Sequence, residues 1–208
     1  LAIIKLHSDG LSDVLSSQMP QIQQATLPYI EAIGEGVNRI SHTVEQLLLL
    51  SRVDAIEALN KTDCKLQDII ENVINQLVHV IADYEWYIVV PKDMNINADP
   101  FYIELVLKNI IENACKYSPK ESLITIKVTQ DEQQTKIYVL DQGRGMSDEE
   151  ISLAKNRFYR VDENASHGAG LGLSICQHII SLHHGELTFS RVEPHGLNVC
   201  IVLPHAQV

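Results

Sequence analysis

Apolar residues recur at three- and four-residue steps at the start of the chain: Leu1, Ile4, Leu11 and Leu15, with Ser8 in register. That spacing is a coiled-coil seam. Met19, Pro20 and a glutamine-rich run to Thr26 are expected to break it, and Pro28 suits the first turn of a second helix. The second seam passes through Ile30, Ile33, Val37, Ile40, Val44 and Leu47 to Ser51, widened by Leu48, Leu49 and Leu50. Two such helices joined by a short polar loop predict an antiparallel hairpin. A lone hairpin leaves much of this surface wet, and pairing with a second copy as a four-helix bundle would cover it. Packing of both helices on the chain's own domain is the simpler alternative.

From about residue 60 the pattern changes. Residues 67–82 are helix-periodic, with Ile69, Ile70, Val73, Ile74, Leu77, Val78 and Ile81. Residues 86–90 form a short strand-like run ended by Pro91. Asp99 can cap a helix with Pro100 at its first position, and that helix continues through Asn109. Residues 123–129 and 136–140 read as two strands, 171–182 as a helix, and 186–190 with 198–203 as a closing hairpin. Helices and strands alternate without strict βαβ units. The expected class is α+β: a two-layer α/β sandwich, with helices on one face of a mixed sheet, preceded by an antiparallel coiled-coil helical hairpin. The expected domains are residues 1–59 and 60–208.

Charge removes one class of function. The formal net charge is −11, which argues against a protein that mainly binds nucleic acid through phosphates. A nucleotide is still admissible, because a local pocket can be positive on an acidic protein. The cysteines (Cys64, Cys115, Cys176 and Cys200) are scattered without metal-binding spacing and read as small buried apolar residues. Residues 47–50 are far too few to span a bilayer, and no signal peptide is visible.

Three segments carry candidate chemistry. In NIIENACKYSP, Asn109 and Asn113 are four apart and share a helix face, while Ile110, Ile111 and Ala114 can face a core. A neutral amide oxygen suits Mg²⁺ that keeps its waters and bridges phosphates. Glu112 supplies a carboxylate for base work and Lys116 a positive charge for phosphate. In DQGRG, Asp141 follows a strand and can accept from an exocyclic amine such as that of adenine, with Gly143 and Gly145 letting a flat base approach backbone. In GAGLG, Gly168, Gly170, Leu171 and Gly172 open a helix whose free N–H groups can cradle an anion. Each segment alone also fits an ordinary amphipathic helix or a tight glycine turn.

Taken together and in this order, N-x-x-E-N-A-x-K-Y, D-x-G-x-G and G-x-G-L-G-L resemble the kinase core of bacterial sensor histidine kinases, whose nucleotide domain is shared with Hsp90, gyrase and MutL. The resemblance covers nearly the whole chain. It implies a dimerisation and histidine-phosphotransfer hairpin followed by a catalytic ATP-binding domain. Asn113 would ligate Mg²⁺ with Asn109 in support, and Glu112 would be the general base. Lys116 would meet phosphate, Tyr117 the nucleoside, and Asp141 the adenine amino group. Gly143 and Gly145 would shape the base pocket, and Gly168, Gly170, Leu171 and Gly172 the phosphate site. Residues 144–169 would form a lid containing the aromatic box Arg157, Phe158, Tyr159 and Arg160, with Arg160 at the nucleotide; Phe158 as a core anchor is the alternative. The implied partners are a second copy through the hairpin and the receiver domain of a response regulator. The implied location is the cytoplasmic side of an inner-membrane-anchored protein, its membrane segments lying upstream. Related enzymes with the same pocket, such as anti-sigma serine/threonine kinases, and a non-catalytic dimerisation module are the rivals.

The chain departs from that family's pattern in three places. Lys155 stands where the aromatic box has a second Phe, which bears on how a lid docks. Leu197 follows Gly196 where Thr or Ser is usual, removing one polar contact to the base. LAIIK resembles the residues after the phosphoacceptor motif His-Glu-x-x-Thr-Pro, so that histidine is expected just upstream of Leu1. His7 and His42 stand outside any such motif. The expectation is a chain that binds ATP without phosphorylating itself.

Overall fold

The computed structural model describes residues 20–56, 58–161 and 169–205, with side chains from Pro28 onward. The seam through Leu1 and Leu15, His7 and Gly168 lie outside the described residues. The described chain divides into two compact units, one ending at Ser51, the other comprising Arg52–Val161 and the segment from Gly170.

Helix α1 (Pro20–Asp54) is continuous, with Pro28 inside it. This corrects the expectation that the glutamine-rich run breaks the helix and that Pro28 opens it. Pro20, at the start, is the proline that takes the tolerated first position, and glutamine and alanine after it favour helix. The second seam is divided. Ile30, Val37 and Leu50 are buried, whereas Ile33, Ile40, Val44, Leu47 and Leu48 stay 41–57 % exposed. His42 is exposed.

The larger unit contains β1 (Thr62–Lys65), α2 (Leu66–Gln76), α3 (Val78–Ile81), β2 (Glu85–Val89), β3 (Asn95–Ala98) and α4 (Pro100–Tyr117). It continues with β4 (Leu123–Gln130), β5 (Gln134–Leu140), α5 (Asp148–Leu153), α6 (Gly172–Leu182), β6 (Glu186–Arg191) and β7 (Leu197–Pro204). The main sheet runs β2-β4-β5-β7-β6, with β2 and β4 parallel and every other neighbouring pair antiparallel. Strands β1 and β3 pair separately. The α+β mixed sheet is therefore as expected. No helix among the described residues is long and apolar enough to cross a membrane.

One face of the sheet makes the core. Along β4 the inward residues Ile124, Ile126 and Val128 are buried while Lys127 between them is exposed. Ile137, Val139, Leu187, Val199 and Ile201 continue that layer. Ile103, Val106, Leu107, Ile110 and Ile111 of α4 and Ile175, Ile179 and Ile180 of α6 are buried too. Each such side chain contributes about 1.5–3 kcal/mol. Helices α4 and α6 run antiparallel: Gly172 abuts Asn109, Cys176 Sγ lies 3.9 Å from the Val106 carbonyl, and His183 reaches Asp99.

Residues 67–82 are not one helix. Helix α2 stops at Gln76, where the Leu77 N–H is shared between the Val73 and Ile74 carbonyls and ends the ladder. Val78, read as part of the helical face, stays exposed, as does Val80. Strands β1 and β3 are additions, each too short to show a period on its own.

Candidate active site

Helix α4 is the element on which the site is built. The Asp99 carboxylate accepts from the Tyr102 N–H at 3.5 Å and Pro100 fills the first helical position. Ser118 is extended and Pro119 prevents continuation. With Ile110, Ile111 and Ala114 buried, Asn109, Glu112 and Asn113 are turned half out of the core. Asn109 donates its amide N–H to the Leu105 carbonyl at 3.1 Å. Its oxygen then faces Gly172, where a Cβ would stand 3.0 Å away. Lys116 and Tyr117 are exposed at the helix end, the ammonium 4.9 Å from the centre of the tyrosine ring.

Asp141 follows β5 and is buried. Its Oδ1 accepts from the Gly143 N–H at 2.8 Å and from the Leu197 N–H at 3.1 Å. Both bonds fall on one oxygen, which fixes the plane of the carboxylate and leaves Oδ2 as the acceptor for a ligand. Burial pushes this carboxyl above its ordinary value, against the pull of the Gly143 and Leu197 N–H groups. The backbone around it is packed without room for side chains. A Cβ at Gly143 would lie 2.5 Å from the Tyr117 carbonyl oxygen, and one at Gly196 (φ +129°) would lie 2.0 Å from that of Asp141. Gly145 lies against Gly196 in turn.

The third component is the start of α6. Leu171, buried at the N-cap, offers no side-chain acceptor, so the first-turn N–H groups are available to an anion. Just before it, the Gly170 carbonyl accepts from the Phe158 N–H at 2.9 Å. Phe158 has φ +65° and is 62 % exposed, which overturns its reading as a core anchor. Arg160 is half-buried two residues on.

The stretch expected as a lid, 144–169, is not uniformly loop. Helix α5 carries a full capping box between Ser147 and Glu150. Arg191 of β6 pairs with Asp148 at 3.2 Å and donates to the Met146 carbonyl at 3.1 Å. Lys155, in place of the second Phe, holds its ammonium 5.8 Å from the ring centre of Phe189.

Thus Asn109, Asn113 and Tyr117 share a helix that touches the loop of Asp141, Gly143 and Gly145 at one end and Gly172 at Asn109. Sequence reading missed the backbone donor of Leu197, whose side chain was read only as a lost contact. Main-chain N–H groups leave no signature in a sequence, and Gly196 beside it was the available signal.

The family model described as histidine kinase-, DNA gyrase B-, and HSP90-like ATPase matches residues 98–207. Sensor protein QseC of Escherichia coli O157:H7 is 29 % identical over 188 residues, covering 88 % of this chain and 40 % of QseC. Sensor protein kinase PmrB of Pseudomonas aeruginosa is 30 % identical over 179 residues, covering 84 % of this chain and 38 % of PmrB. The chain therefore spans about two fifths of the length of these relatives. Among solved structures, the mycobacterial sensor histidine kinase MprB superposes with a TM-score of 0.63 at 25 % identity, over 71 % of this chain and 97 % of that one. The chain belongs to the histidine kinase-, DNA gyrase B- and HSP90-like ATPase family, and the residues around α4 lie in its ATP-binding domain.

Proposed function

We propose that this chain is the catalytic core of a sensor histidine kinase. In its whole protein it would transfer the γ-phosphoryl of Mg·ATP to a histidine and then to an aspartate of a response-regulator receiver domain. The supporting observation is the meeting of three separated segments at α4: the asparagine face, the Asp141 loop and the Gly170–Gly172 turn.

In this reading Asp141 Oδ2 accepts the exocyclic amine of adenine, and Tyr117 lies along the nucleoside. The uncapped start of α6 receives phosphate oxygens, and Lys116 and Arg160 add positive charge. Glu112, half-buried beside Asn113, is the base that takes the proton from the acceptor imidazole. Among the described residues no three His, Cys, Asp or Glu side chains cluster to hold a metal. The Asn113 amide oxygen, supported by Asn109, would hold a Mg²⁺, as a neutral amide oxygen suits that hard cation. When bound it neutralises phosphate charge. Residues 1–59 would serve dimerisation and phosphotransfer and 60–208 nucleotide binding, in the cytoplasm where ATP and receiver domains are found. The exposed stripe on α1 supports pairing with a second copy.

Calorimetry with ATP tests the reading. Binding should strengthen when Mg²⁺ is added, and Asn113→Ala should remove that response while retaining Mg²⁺-free binding. An unchanged Mg²⁺ response would remove Asn113 as the ligand. Incubation with radiolabelled ATP should leave the chain unlabelled; label on His7 or His42 would show an acceptor within it.

A further inference from the structure

The two helices that carry the proposed nucleotide contacts meet at both ends. At the site end Gly172 abuts Asn109. At the far end His183, which follows α6 and is buried, reaches the start of α4. Its Nε2 accepts from the Asp99 backbone N–H at 3.0 Å, and its Nδ1 lies 2.9 Å from the Ile179 carbonyl. A carbonyl can only accept, so Nδ1 carries the proton and Nε2 is the bare acceptor. The same Asp99 accepts the Asn60 N–H at 3.0 Å through Oδ2. One junction, buried at Asp99 and His183, thus joins the incoming chain at Asn60, the start of α4 and the end of α6.

We infer that His183 is a positioning residue: its neutral ring ties Asp99 to α6, sets the axial register of the antiparallel pair, and so holds Asn109 and Asn113 against the Gly170–Gly172 turn. Helices are stiff along their axes, so a shift at one end is carried to the other. Protonation puts a second N–H on the ring, facing the Asp99 N–H, and the tie becomes donor against donor.

The ring's surroundings resist that change. Burial lowers its proton affinity first; the Ile179 carbonyl raises it, Lys61 lowers it, Asp99 raises it and His184 lowers it. Lys61, Asp99 and His184 are the charged or titratable groups that act on it. With the folded value depressed below the ordinary histidine value, the tie is intact at neutral pH and is lost only as the pH falls through the depressed value.

The inference rests on the nucleotide reading of the site, and the experiment separates the two. ATP affinity of the whole chain is measured between pH 8 and pH 4.5 for the wild type, His183→Gln and His183→Leu. The wild type should lose affinity toward the acid end of the range beyond any change in His183→Gln, whose amide offers an acceptor that does not titrate. His183→Leu should bind weakly at both ends of the range. Equal pH dependence in the wild type and His183→Gln would overturn the inference. If the wild type binds no ATP at pH 8, the nucleotide reading fails instead. Nitrogen NMR of the His183 ring in the wild type tests the tie without ligand or variant. A protonated Nδ1 and bare Nε2 at pH 7.5 support it, and the opposite tautomer overturns it.

Discussion

Asp141 is a residue whose value to a ligand and cost to the fold oppose each other. Burial raises the carboxyl's proton affinity against the pull of the Gly143 and Leu197 N–H groups, so keeping it ionised costs the folded chain stability. Asp141→Asn keeps an oxygen for the Gly143 and Leu197 N–H groups but turns an amide N–H₂ toward the base. We expect ATP affinity to fall about a hundredfold in calorimetry, with Tm unchanged or slightly raised in a thermal scan. Gly196→Ala should act in the opposite sense, on stability, since φ +129° and the Asp141 carbonyl leave no place for a methyl group. A cost of about 1–3 kcal/mol is expected in chemical denaturation. The cysteines give a third test. Burial pushes the Cys115 thiol up to about 11 and Cys176 up to about 12, whereas Cys64 is only half-buried. At pH 8 a maleimide should label Cys64 first, and Cys115 and Cys176 only on unfolding. At this scale the sequence singled out the candidate side chains, Asn109, Asn113 and Asp141 above all. It could not show that Asp141 is oriented by main-chain donors.

Among the elements, legibility followed length and periodicity. Helix α4 was readable from Asp99 through Pro119 because cap, proline, apolar period and stop all agree. The β4–β5 and β6–β7 hairpins were readable for the same reason. Helix α1 was misjudged at its start because two prolines competed for the first turn, and the earlier one holds it. Helix α5 was absorbed into a supposed lid because six residues make too little pattern, although Ser147 and Glu150 spell its capping box. That box has a measurable consequence. Ser147→Ala should cost about 1 kcal/mol and speed hydrogen exchange selectively across residues 148–153. Exchange unchanged there would mean that the Arg191 contacts, not the cap, hold the helix.

At the scale of the whole molecule, the α+β class and the order of the three site segments were both legible, because each segment is short and chemically distinctive. Their convergence was expected only through the family resemblance, since it depends on α4 touching loops more than twenty residues away in sequence. The exposed stripe on α1 bears on assembly. Ile40→Glu should shift sedimentation toward the monomer while leaving ATP binding in place, and an unchanged dimer would move the contact elsewhere.

Strand β2, at the rim of the sheet, has a consequence for handling the protein. It is parallel-paired on one side only, and Tyr87, Ile88 and Val89 lie 38–58 % exposed with no charge among them. An unguarded rim of that kind templates stacking of like molecules, so light scattering should climb with concentration. Ile88→Lys should suppress that rise without disturbing the candidate site on α4.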